Sequence, residues 1–483
     1  AIMTEAEVIR EDKSEIERKL DLNSAVQEAI KANLELAARG YSVEAGKQDV
    51  HVARSKLLPS IDLSGNYLII DPDRADASLG QQPERTLNGS VTATQVIYSE
   101  PVWANLSVQK KLQKTREYDF ETLKLDITEL AATAYLNVLR AKTYEKIQQN
   151  NLKVTRQNLE LARVRETVGS AGPAEVYRWE SEVALNRKSV IEANSQRNLA
   201  EIQLNRILHR PAEESFTTTE ADINAPYLIT SYPKLLKFIE GLKAFKVFRN
   251  FMVEEALNNS PELQSLEEAI KIQKRVLNSA TSSFWQPTIA LQGQVNNVFS
   301  RAGKGTEANL ELPPTMPFEF SFPQPKDLSW NVGLNMSFPL FNGGEKFAQR
   351  QKAIKELARL EVEKELVTEQ LEQRIRSALH KAGASYASIK QARLASEAAG
   401  KSLAVVQDAY SQGMVNLVEL LDAQNAALVA DQFAANAVYD FLIDLMAVQR
   451  GLGRFDFFST TELRNEFLQR ADEYFEKEGI VIE

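Results

Sequence analysis

The chain has 483 residues, of which 25% are charged and 43% are hydrophobic, so it is long enough for two or three ordinary domains. The formal net charge of −9 argues against a nucleic-acid partner, and the absence of cysteine excludes disulfides, thiol catalysis and cysteine-bound zinc. The first residues lack the apolar core of a secretory signal, so either the chain is cytosolic or its signal peptide has already been removed. No apolar run is long enough for a transmembrane helix, although a membrane β-barrel would not need one.

The two halves of the chain resemble each other. VQEAIKANLEL (26–36) is similar to VEEALNNSPEL (253–263) at an offset of 227, and from the end of the second strand the offset stays at 243 to 244. The extra length of the second half falls in one Pro- and Gly-rich loop between Gly293 and Ser329. Chance similarity would not concentrate a length difference in one loop, so we interpret the chain as an internal duplication.

Each half is predicted to contain, in order, a helix, a strand, a loop, a strand, a very long helix, a turn and a helix. An N-terminal extension (1–22) precedes the first repeat (23–210), which has strands at about 60–70 and 86–97, a long helix at about 103–168 and a return helix at 174–208. After an inter-repeat equatorial segment (211–250), the second repeat (251–454) has strands at about 287–298 and 329–340, a long helix at about 344–412 and a return helix at 417–450. The chain ends in a C-terminal equatorial segment with a mobile acidic tail (455–483).

The strands alternate apolar and polar residues with a period of two. One face of the first and last strands is apolar and consists of Ile61, Leu63, Tyr67, Ile69, Trp330, Val332, Leu334, Met336 and Phe338. The other face is polar and consists of Asp62, Ser64, Asn66, Asn331, Asn335 and Ser337. This pattern fits a half-buried sheet of a soluble protein, and at roughly 10–12 residues the strands also suit a tilted membrane-spanning strand.

The long helices carry apolar residues at the spacing of a coiled coil, with Phe120, Leu123, Ile127, Leu130 and Ala134 in one and Leu371, Ile375, Ala378 and Ala382 in the other. A helix from about 103 to 168 would be ~100 Å long and would need packing partners along its whole length.

Each long helix is entered from a strand. Gly343 and Gly344 stand at the second junction, where glycine allows unusual backbone angles and a close backbone approach. The first junction has Pro101, whose φ suits the start of a helix. Four strands cannot close a barrel in lipid, so copies of the chain must complete it, and three copies would supply twelve strands.

Two P-x-I-x-L-x-G strand starts (59–65 and 287–293), a P-L-F-x-G-G strand exit (339–344) and the duplicated long helices together resemble the TolC-like outer membrane factor (outer membrane efflux protein) family over about residues 20–455. The resemblance implies a mainly α-helical homotrimer. Its twelve-stranded transmembrane β-barrel would lie in the outer membrane of a Gram-negative bacterium, continued by a long α-helical barrel in the periplasm. It also implies a periplasmic adaptor (membrane fusion) protein and an inner-membrane pump as partners, and outer membrane lipid around the barrel.

The resemblance assigns adaptor contacts to the turns at the periplasmic tip, at Val168, Gly169, Gly413 and Met414. Backbone geometry alone would also explain a glycine in each turn. Gln412 stands where the family usually has valine, so the second turn departs from the family's pattern.

A gate is expected just beyond these turns. Glu175, Glu419 and Asp422 would form acidic rings that constrict the tunnel and favour cations. Carboxylates in a first helical turn also cap the helix, and Asn416 with Glu419 resembles a capping box. Tyr410 matches an aromatic residue of the family's gate network.

A basic residue of that gate network is replaced by Val415, so closure is expected to differ from that of relatives. The predicted function is a passive outer membrane conduit for efflux or type I secretion, without enzymatic activity, cofactor or metal. The three histidines are predicted to lie apart on separate helices. The alternative function is a periplasmic coiled-coil scaffold or adaptor, for which two copies with internal strand pairs would be unusual.

Overall fold

The computed structural model describes residues 19–78, 80–220, 241–306, 326–455, 458 and 460–479. The first half contains β1 (Lys19–Leu20), α1 (Leu22–Ala32), α2 (Leu34–Ser55), β2 (Ser60–Ile69), α3 (Pro72–Asp76), β3 (Arg85–Tyr98), α4 (Glu100–Thr167), α5 (Pro173–Ile207) and β4 (Thr217–Thr218). The second half contains α6 (Leu242–Asn259), α7 (Pro261–Ser282), β5 (Thr288–Ala302), β6 (Leu328–Ser337), α8 (Glu345–Ser411), α9 (Leu417–Gly451) and α10 (Thr461–Lys477). The protein is mainly helical, and α4 and α8 have 68 and 67 residues.

One additional helix and two strand ends differ from the sequence-based prediction. The Asp71 side chain accepts hydrogen bonds from two N–H groups of the following turn, so helix α3 forms inside the predicted first loop. Strand β5 continues to Ala302 because its last residues pair with the start of β3. Strand β6 ends early, at Ser337, where Pro339 has no N–H for the ladder. Most of the predicted second loop, 307–325, lies outside the described residues, as do most of the first 22 residues and 221–240 of the inter-repeat segment.

Contacts group the chain into two units. The first draws on 1–41, 118–264 and 364–483, and the second on 42–117 and 265–363. Each unit therefore takes matching parts from both halves of the chain. The second unit holds the large sheet, and the first holds the ends of α4 and α8 together with α5 and α9, which follow them.

The sheet of the second unit is antiparallel, in the order β2-β3-β5-β6. Its register places Leu63 opposite Val91, Val91 opposite Val295, and Val295 opposite Trp330, so the four strands share one apolar face. This face is exposed in a single chain: Trp330, Val332, Leu334 and Met336 are 74%, 65%, 67% and 68% accessible. An apolar surface of this extent requires a cover.

The opposite face of the sheet is polar and largely uncharged. Ser64 and Ser90 share a hydrogen bond of 2.8 Å between β2 and β3, and Asn335 Nδ2 donates to Gln292 Oε1 at 3.1 Å between β6 and β5. Strands β2 and β6 are the two edges of the sheet, and every residue of both is exposed.

The largest core cluster of the first unit packs α1 and α4 against the ends of α5 and α9. Tyr135 is fully buried there, and its hydroxyl lies 2.9 Å from the carbonyl oxygen of Leu20 and 2.7 Å from that of Thr219. It thereby fastens the short parallel pair β1 and β4 to α4. Along the predicted seam of α4, Ile127 is buried, whereas Leu130 is 48% exposed, so this seam is only partly covered within one chain.

A second cluster joins α6, α8, the end of α9 and α10. The seam residues Ile375 and Ala378 are buried in it, and Phe251 contacts Phe467 of α10 with a ring-centre separation of 5.3 Å. The prediction of a mobile acidic tail is wrong for the residues up to Lys477, which form the last turns of α10 because Phe475 is buried in this core.

Helix α9 corrects a further expectation. By length and composition it is apolar enough to cross a membrane, contrary to the sequence-based prediction that no such helix exists. Only 17% of the apolar 18-residue stretch of this helix is buried within the chain. Leu420 packs in the apolar core around Tyr410, and Leu442 and Met446 pack in the core cluster at the other end of α9. Between these ends, Val429 and Phe433 are 45% and 64% exposed, so this apolar surface is available to further helices.

Candidate gate at the helix turns

The turns that follow α4 and α8 have the same backbone conformation. Gly169 and Gly413 have positive φ angles of +73° and +75°, and in each turn the N–H group after the glycine bonds to the carbonyl oxygen five residues earlier, at 2.8 and 2.9 Å. This is a Schellman helix end, which favours glycine because its left-handed residue has no Cβ to clash. Beside the glycines, Val168 and Met414 are 71% and 67% exposed.

Tyr410, fully buried near the end of α8, is the centre of a polar cluster that we call the turn network: Arg165, Glu175, Trp179 and Tyr410. The Tyr410 hydroxyl donates to the Glu175 carboxylate and accepts a hydrogen bond from Trp179 Nε1 at 3.2 Å. Arg165 Nη1 donates to the Tyr410 carbonyl oxygen at 2.5 Å, and its Cζ lies 4.4 Å from the centre of the Tyr410 ring. Arg165 Nε is 3.8 Å from Glu175, so the network links α4, α5 and α8.

The chemistry of the turn network keeps the Tyr410 hydroxyl protonated. Burial, followed by the hydrogen bond to the Glu175 carboxylate, raises the pKa of Tyr410 from 10.0 to about 12. Trp179 and Arg165 act in the opposite direction, because both favour the phenolate. Since a carboxylate accepts hydrogen bonds but cannot donate them, the protonated hydroxyl is the partner that Glu175 requires.

Glu419 and Asp422 lie in the first turns of α9, and both side chains are exposed. Asn416 caps this helix: its Oδ1 accepts from the Glu419 N–H at 3.0 Å, and its Nδ2 donates to Glu419 Oε1 at 2.8 Å. The N-cap half of the predicted capping box is therefore present, whereas the Glu419 carboxylate bonds to the Asn416 side chain instead of its backbone N–H. Asp422, one turn later, lines a cavity of about 390 Å³ between α4, α5 and α9.

The three predicted gate carboxylates differ in exposure and in their side-chain partners. Glu175 is engaged by Tyr410 and Arg165, and its side chain is 18% exposed. Glu419 and Asp422 remain open to solvent. The residue types are similar, but Glu175 belongs to a helix-to-helix contact and the other two belong to a surface.

Sequence reasoning missed Arg165 and Trp179. Val415 packs on the apolar core around Tyr410, and the positive charge of this cluster comes instead from Arg165 of α4. Two signals were available in the sequence. Arg165 lies one turn before the glycine of its helix end, and Trp179 lies one turn after Glu175 on the same helix face.

A buried layer of uncharged polar side chains joins all four helices of this part of the unit. Gln424 accepts from Asn158 at 3.2 Å and donates to Thr155 at 2.6 Å. Gln407 donates to Asn158 at 3.0 Å, and Asn186 donates to Thr155 at 2.8 Å. Because buried amides tolerate few alternative partners, such a layer favours one register of the helices over a slid one.

The strand-to-helix junctions lie in the second unit. Gly343 and Gly344 have φ angles of +66° and +86°, so both need glycine for their backbone conformation. Within this chain, no heavy atom beyond the neighbouring residues lies within 4 Å of a Cβ placed on either glycine. Pro101 stands in the first turn of α4, which begins at Glu100.

The histidines lie apart. His51 is in α2 and His380 is in α8, but His209 lies in the turn after α5, with φ of 56°, instead of on a helix as predicted. In the part of the chain that the structure describes, no group of three or more His, Asp or Glu side chains is arranged to hold a metal ion.

A sequence model of the outer membrane efflux protein family matches residues 25–209 and 252–454. The chain is 24% identical over 433 residues to the outer membrane protein TolC of Escherichia coli (strain K12), covering 90% of this chain and 82% of that protein. It is also 23% identical over 345 residues to the pyoverdine export outer membrane protein OpmQ of Pseudomonas aeruginosa, covering 69% of this chain and 64% of that protein.

Solved structures share the fold. The outer-membrane channel OprN has a TM-score of 0.70 at 18% identity and covers 90% of each chain. The outer membrane channel CmeC of Campylobacter jejuni has a TM-score of 0.68 at 17% identity, covering 94% of this chain and 90% of that one. Because the family model matches most of both halves, the chain belongs to the outer membrane efflux protein family and is a TolC-like protein of the outer membrane.

Proposed function

We propose that the protein is the outer membrane channel-tunnel of a tripartite efflux or type I secretion system. In this proposal it is a passive conduit, gated at the two helix turns. The observation that carries the proposal is the exposed apolar face of a four-stranded sheet with two open edges in a mainly helical chain. A soluble adaptor or scaffold of the periplasm would leave this apolar face exposed to water, which disfavours that alternative.

Closure of the barrel follows from the open edges. Strands β2 and β6 would each pair with a neighbouring copy, because unpaired backbone groups are very costly in lipid. Three copies would give a twelve-stranded barrel with the apolar face toward lipid and the polar face toward the lumen. The family model matches two separate segments of this chain, which supports the internal duplication. The exposed apolar surface of α9 supports helix contacts between copies.

The gate would use two sets of residues with different tasks. Glu419 and Asp422 from three copies would form acidic rings that attract cations. The turn network would hold the closed state, because separating α4, α5 and α8 would break the Tyr410 contacts with Glu175, Trp179 and Arg165. Capping by Asn416 gives Glu419 a structural task that is compatible with this role.

Partners are assigned by surface and by family. The exposed Val168 and Met414 beside the turn glycines would contact a periplasmic adaptor protein, which in turn connects to an inner-membrane pump. Gln412, whose side chain donates to Asp408 at 2.8 Å, is the departure from the family pattern at the second turn.

The test is the conductance of single channels in a planar lipid bilayer, comparing the wild type with Glu419→Ala/Asp422→Ala. We expect a small cation-selective current in the wild type, with larger conductance and weaker cation selectivity in the variant. The matched control is Glu397→Ala, which removes an exposed carboxylate of α8 and should leave the current unchanged.

Other outcomes separate the parts of the proposal. If the double substitution leaves the current unchanged, the conduit proposal stands, but the two carboxylates act only in helix capping. Protein that forms no channel and stays soluble without detergent would overturn the membrane proposal and favour the scaffold.

A further inference from the structure

The sequence contains two Asn-Gly pairs, Asn88-Gly89 and Asn342-Gly343. An asparagine loses its side-chain amide most readily before glycine, because glycine has no side chain to block the attacking backbone nitrogen. In the unfolded chain the two pairs should react at similar rates. Their surroundings in the fold therefore decide which of them is modified.

The pair Asn88-Gly89 lies inside β3, which has a neighbouring strand on each side. Gly89 is opposite Gly65 of β2 and Asn297 of β5, so its backbone N–H belongs to the hydrogen-bond ladder of the sheet. A Cβ placed on Gly89 would lie 2.7 Å from the ring of Phe299, so the backbone is also closely covered. A reaction between the Gly89 nitrogen and the Asn88 side chain would have to disrupt this pairing, and the fold therefore protects this pair.

The pair Asn342-Gly343 lies in the turn between β6 and α8, outside both elements. Gly343 is exposed, with a φ angle of +66° and no heavy atom beyond its neighbours within 4 Å of a Cβ placed on it. Among the described residues, no acceptor bonds to the Gly343 N–H. The backbone nitrogen of this pair is therefore open to solvent and free of the ladder that holds Gly89.

The Asn342 side chain has one partner in the turn. Its Nδ2 donates to the Glu345 carboxylate at 3.0 Å, and the Asn342 carbonyl oxygen accepts from the Glu345 N–H at 3.3 Å. The hydrogen bond holds the side-chain amide in one orientation and so slows any attack on it. Because Glu345 is exposed, water competes for this bond, and the bond delays the reaction without preventing it.

We propose that Asn342 is a site of spontaneous deamidation. The Gly343 nitrogen gives its proton to hydroxide and attacks Asn342 Cγ, so that a new C–N bond forms. The Cγ–Nδ2 bond breaks, and the leaving nitrogen takes a proton from water and departs as ammonia. Water then opens the cyclic imide at either carbonyl, which gives aspartate or isoaspartate, and no oxidant or reductant is needed.

The products change the start of α8. Both carry a carboxylate where Nδ2 had donated to Glu345, so the hydrogen bond is lost and two negative charges face each other. Isoaspartate also adds one methylene group to the backbone between β6 and α8. The first strand-to-helix junction has no asparagine between Tyr98 and Pro101, so the modification would distinguish the two junctions of the chain.

The test is peptide mapping by mass spectrometry of the full chain, purified in detergent and incubated for days in mildly alkaline buffer. We expect the peptide with Asn342 to lose its amide several-fold faster than the peptide with Asn88, with isoaspartate as the main product. Electron-transfer fragmentation distinguishes isoaspartate from aspartate. The matched control is the same incubation in guanidinium chloride, where unfolding should bring the two rates together.

Two variants test the roles of the side chains. Glu345→Ala removes the hydrogen-bond partner and should accelerate conversion of Asn342 several-fold, whereas Glu365→Ala, which removes an exposed carboxylate elsewhere on α8, should not. Asn342→Gln should abolish conversion at this position, because the longer side chain would have to close a larger ring.

Three results would overturn the proposal. If Asn342 reacts no faster than Asn88 in the folded protein, the junction is protected and is not a modification site. Aspartate without isoaspartate would show direct hydrolysis instead of attack by the Gly343 nitrogen. Slower conversion in Glu345→Ala would show that Glu345 promotes the reaction instead of delaying it, contrary to the geometry proposed for the turn.

Discussion

Tyr410 is the residue at which three helices of the candidate gate meet. Its ring is stacked by Arg165, its hydroxyl is shared between Glu175 and Trp179, and its carbonyl oxygen accepts from Arg165. A buried hydroxyl with two partners is expensive to leave unpaired, so these contacts resist separation of the helices. The same contacts would have to break if the turns moved apart to open a channel.

Tyr410→Phe keeps the buried ring but removes the hydroxyl. We expect the free energy of unfolding to fall by about 1–3 kcal/mol, because Glu175 loses its donor and Trp179 its acceptor. We also expect higher conductance in a planar bilayer, because the closed state is weakened. The control is Tyr439→Phe, which removes a hydroxyl 2.7 Å from Thr143 in the same unit. Conductance raised equally by both variants would assign the effect to general loosening instead of to the turn network.

The raised pKa of Tyr410 predicts an alkaline loss of stability. The folded-state pKa, about 12, lies above the ordinary value of 10.0, so the stabilisation is complete below pH 10 and is lost as the pH rises through 12. Denaturant midpoints measured across this window should fall more steeply for the wild type than for Tyr410→Phe. Parallel curves for the two proteins would show that Tyr410 does not titrate in this window.

Helix α8 is bounded by glycines whose backbone angles explain its ends. It begins after Gly343 and Gly344 and ends before Gly413, all with positive φ. Within it, Gly400 has helical neighbours and open space around a Cβ. Glycine therefore has two roles in one helix: at the ends it permits the turn, and in the middle it only adds flexibility to the unfolded chain.

Substitutions to alanine should distinguish the glycines at the helix ends from the glycine in the helix interior. Gly344→Ala should lower the free energy of unfolding by about 1–2 kcal/mol, because alanine is strained at positive φ. Gly400→Ala should raise it by about 0.5–1 kcal/mol, because alanine favours a helix interior. Thermal unfolding followed by circular dichroism in detergent measures both. A stabilising Gly344→Ala would mean that the junction adopts another conformation in the membrane.

At the scale of the whole molecule, the sheet has two chemically distinct faces. Val332 lies opposite Gly293 on the apolar face, and Asn331 lies opposite Gln294 on the polar face. In a membrane barrel these adjacent residues would experience lipid and water, respectively. In a soluble protein with the same sheet, both would stand at an exposed surface and respond alike to a charge.

Adjacent arginine substitutions use this difference. Val332→Arg should lower the stability of the inserted barrel by about 2–4 kcal/mol, because it places a charge in lipid. It should also reduce the yield of trimer that inserts into vesicles. Asn331→Arg should insert normally and lower the cation selectivity of the channel, because the charge would line the lumen. Native mass spectrometry of the extracted protein should give three times the 54.2 kDa chain mass. Equal insertion of both variants would contradict the assignment of the faces.

Local patterns in the sequence were sufficient for much of this description. Alternation with period two predicted which residues share the apolar face of β6, and glycine at the turns predicted positive φ, because both depend on neighbours within a few residues. The Asn416–Glu419 cap is also local and was predicted. The end of α10 was not, because the burial of Phe475 depends on side chains from α6 and α8.

The chain by itself determined its two similar halves, the two faces of its strands, the glycine turns that end its two long helices and its family resemblance. Only the tertiary structure decided which carboxylate meets which partner: Glu175 lies 235 residues from Tyr410 in sequence, yet bonds to it, while Glu419 and Asp422 stay exposed. It also placed Arg165 on the Tyr410 ring. The reason is that periodicity is a property of one element, whereas side-chain partners are set by how separate helices pack.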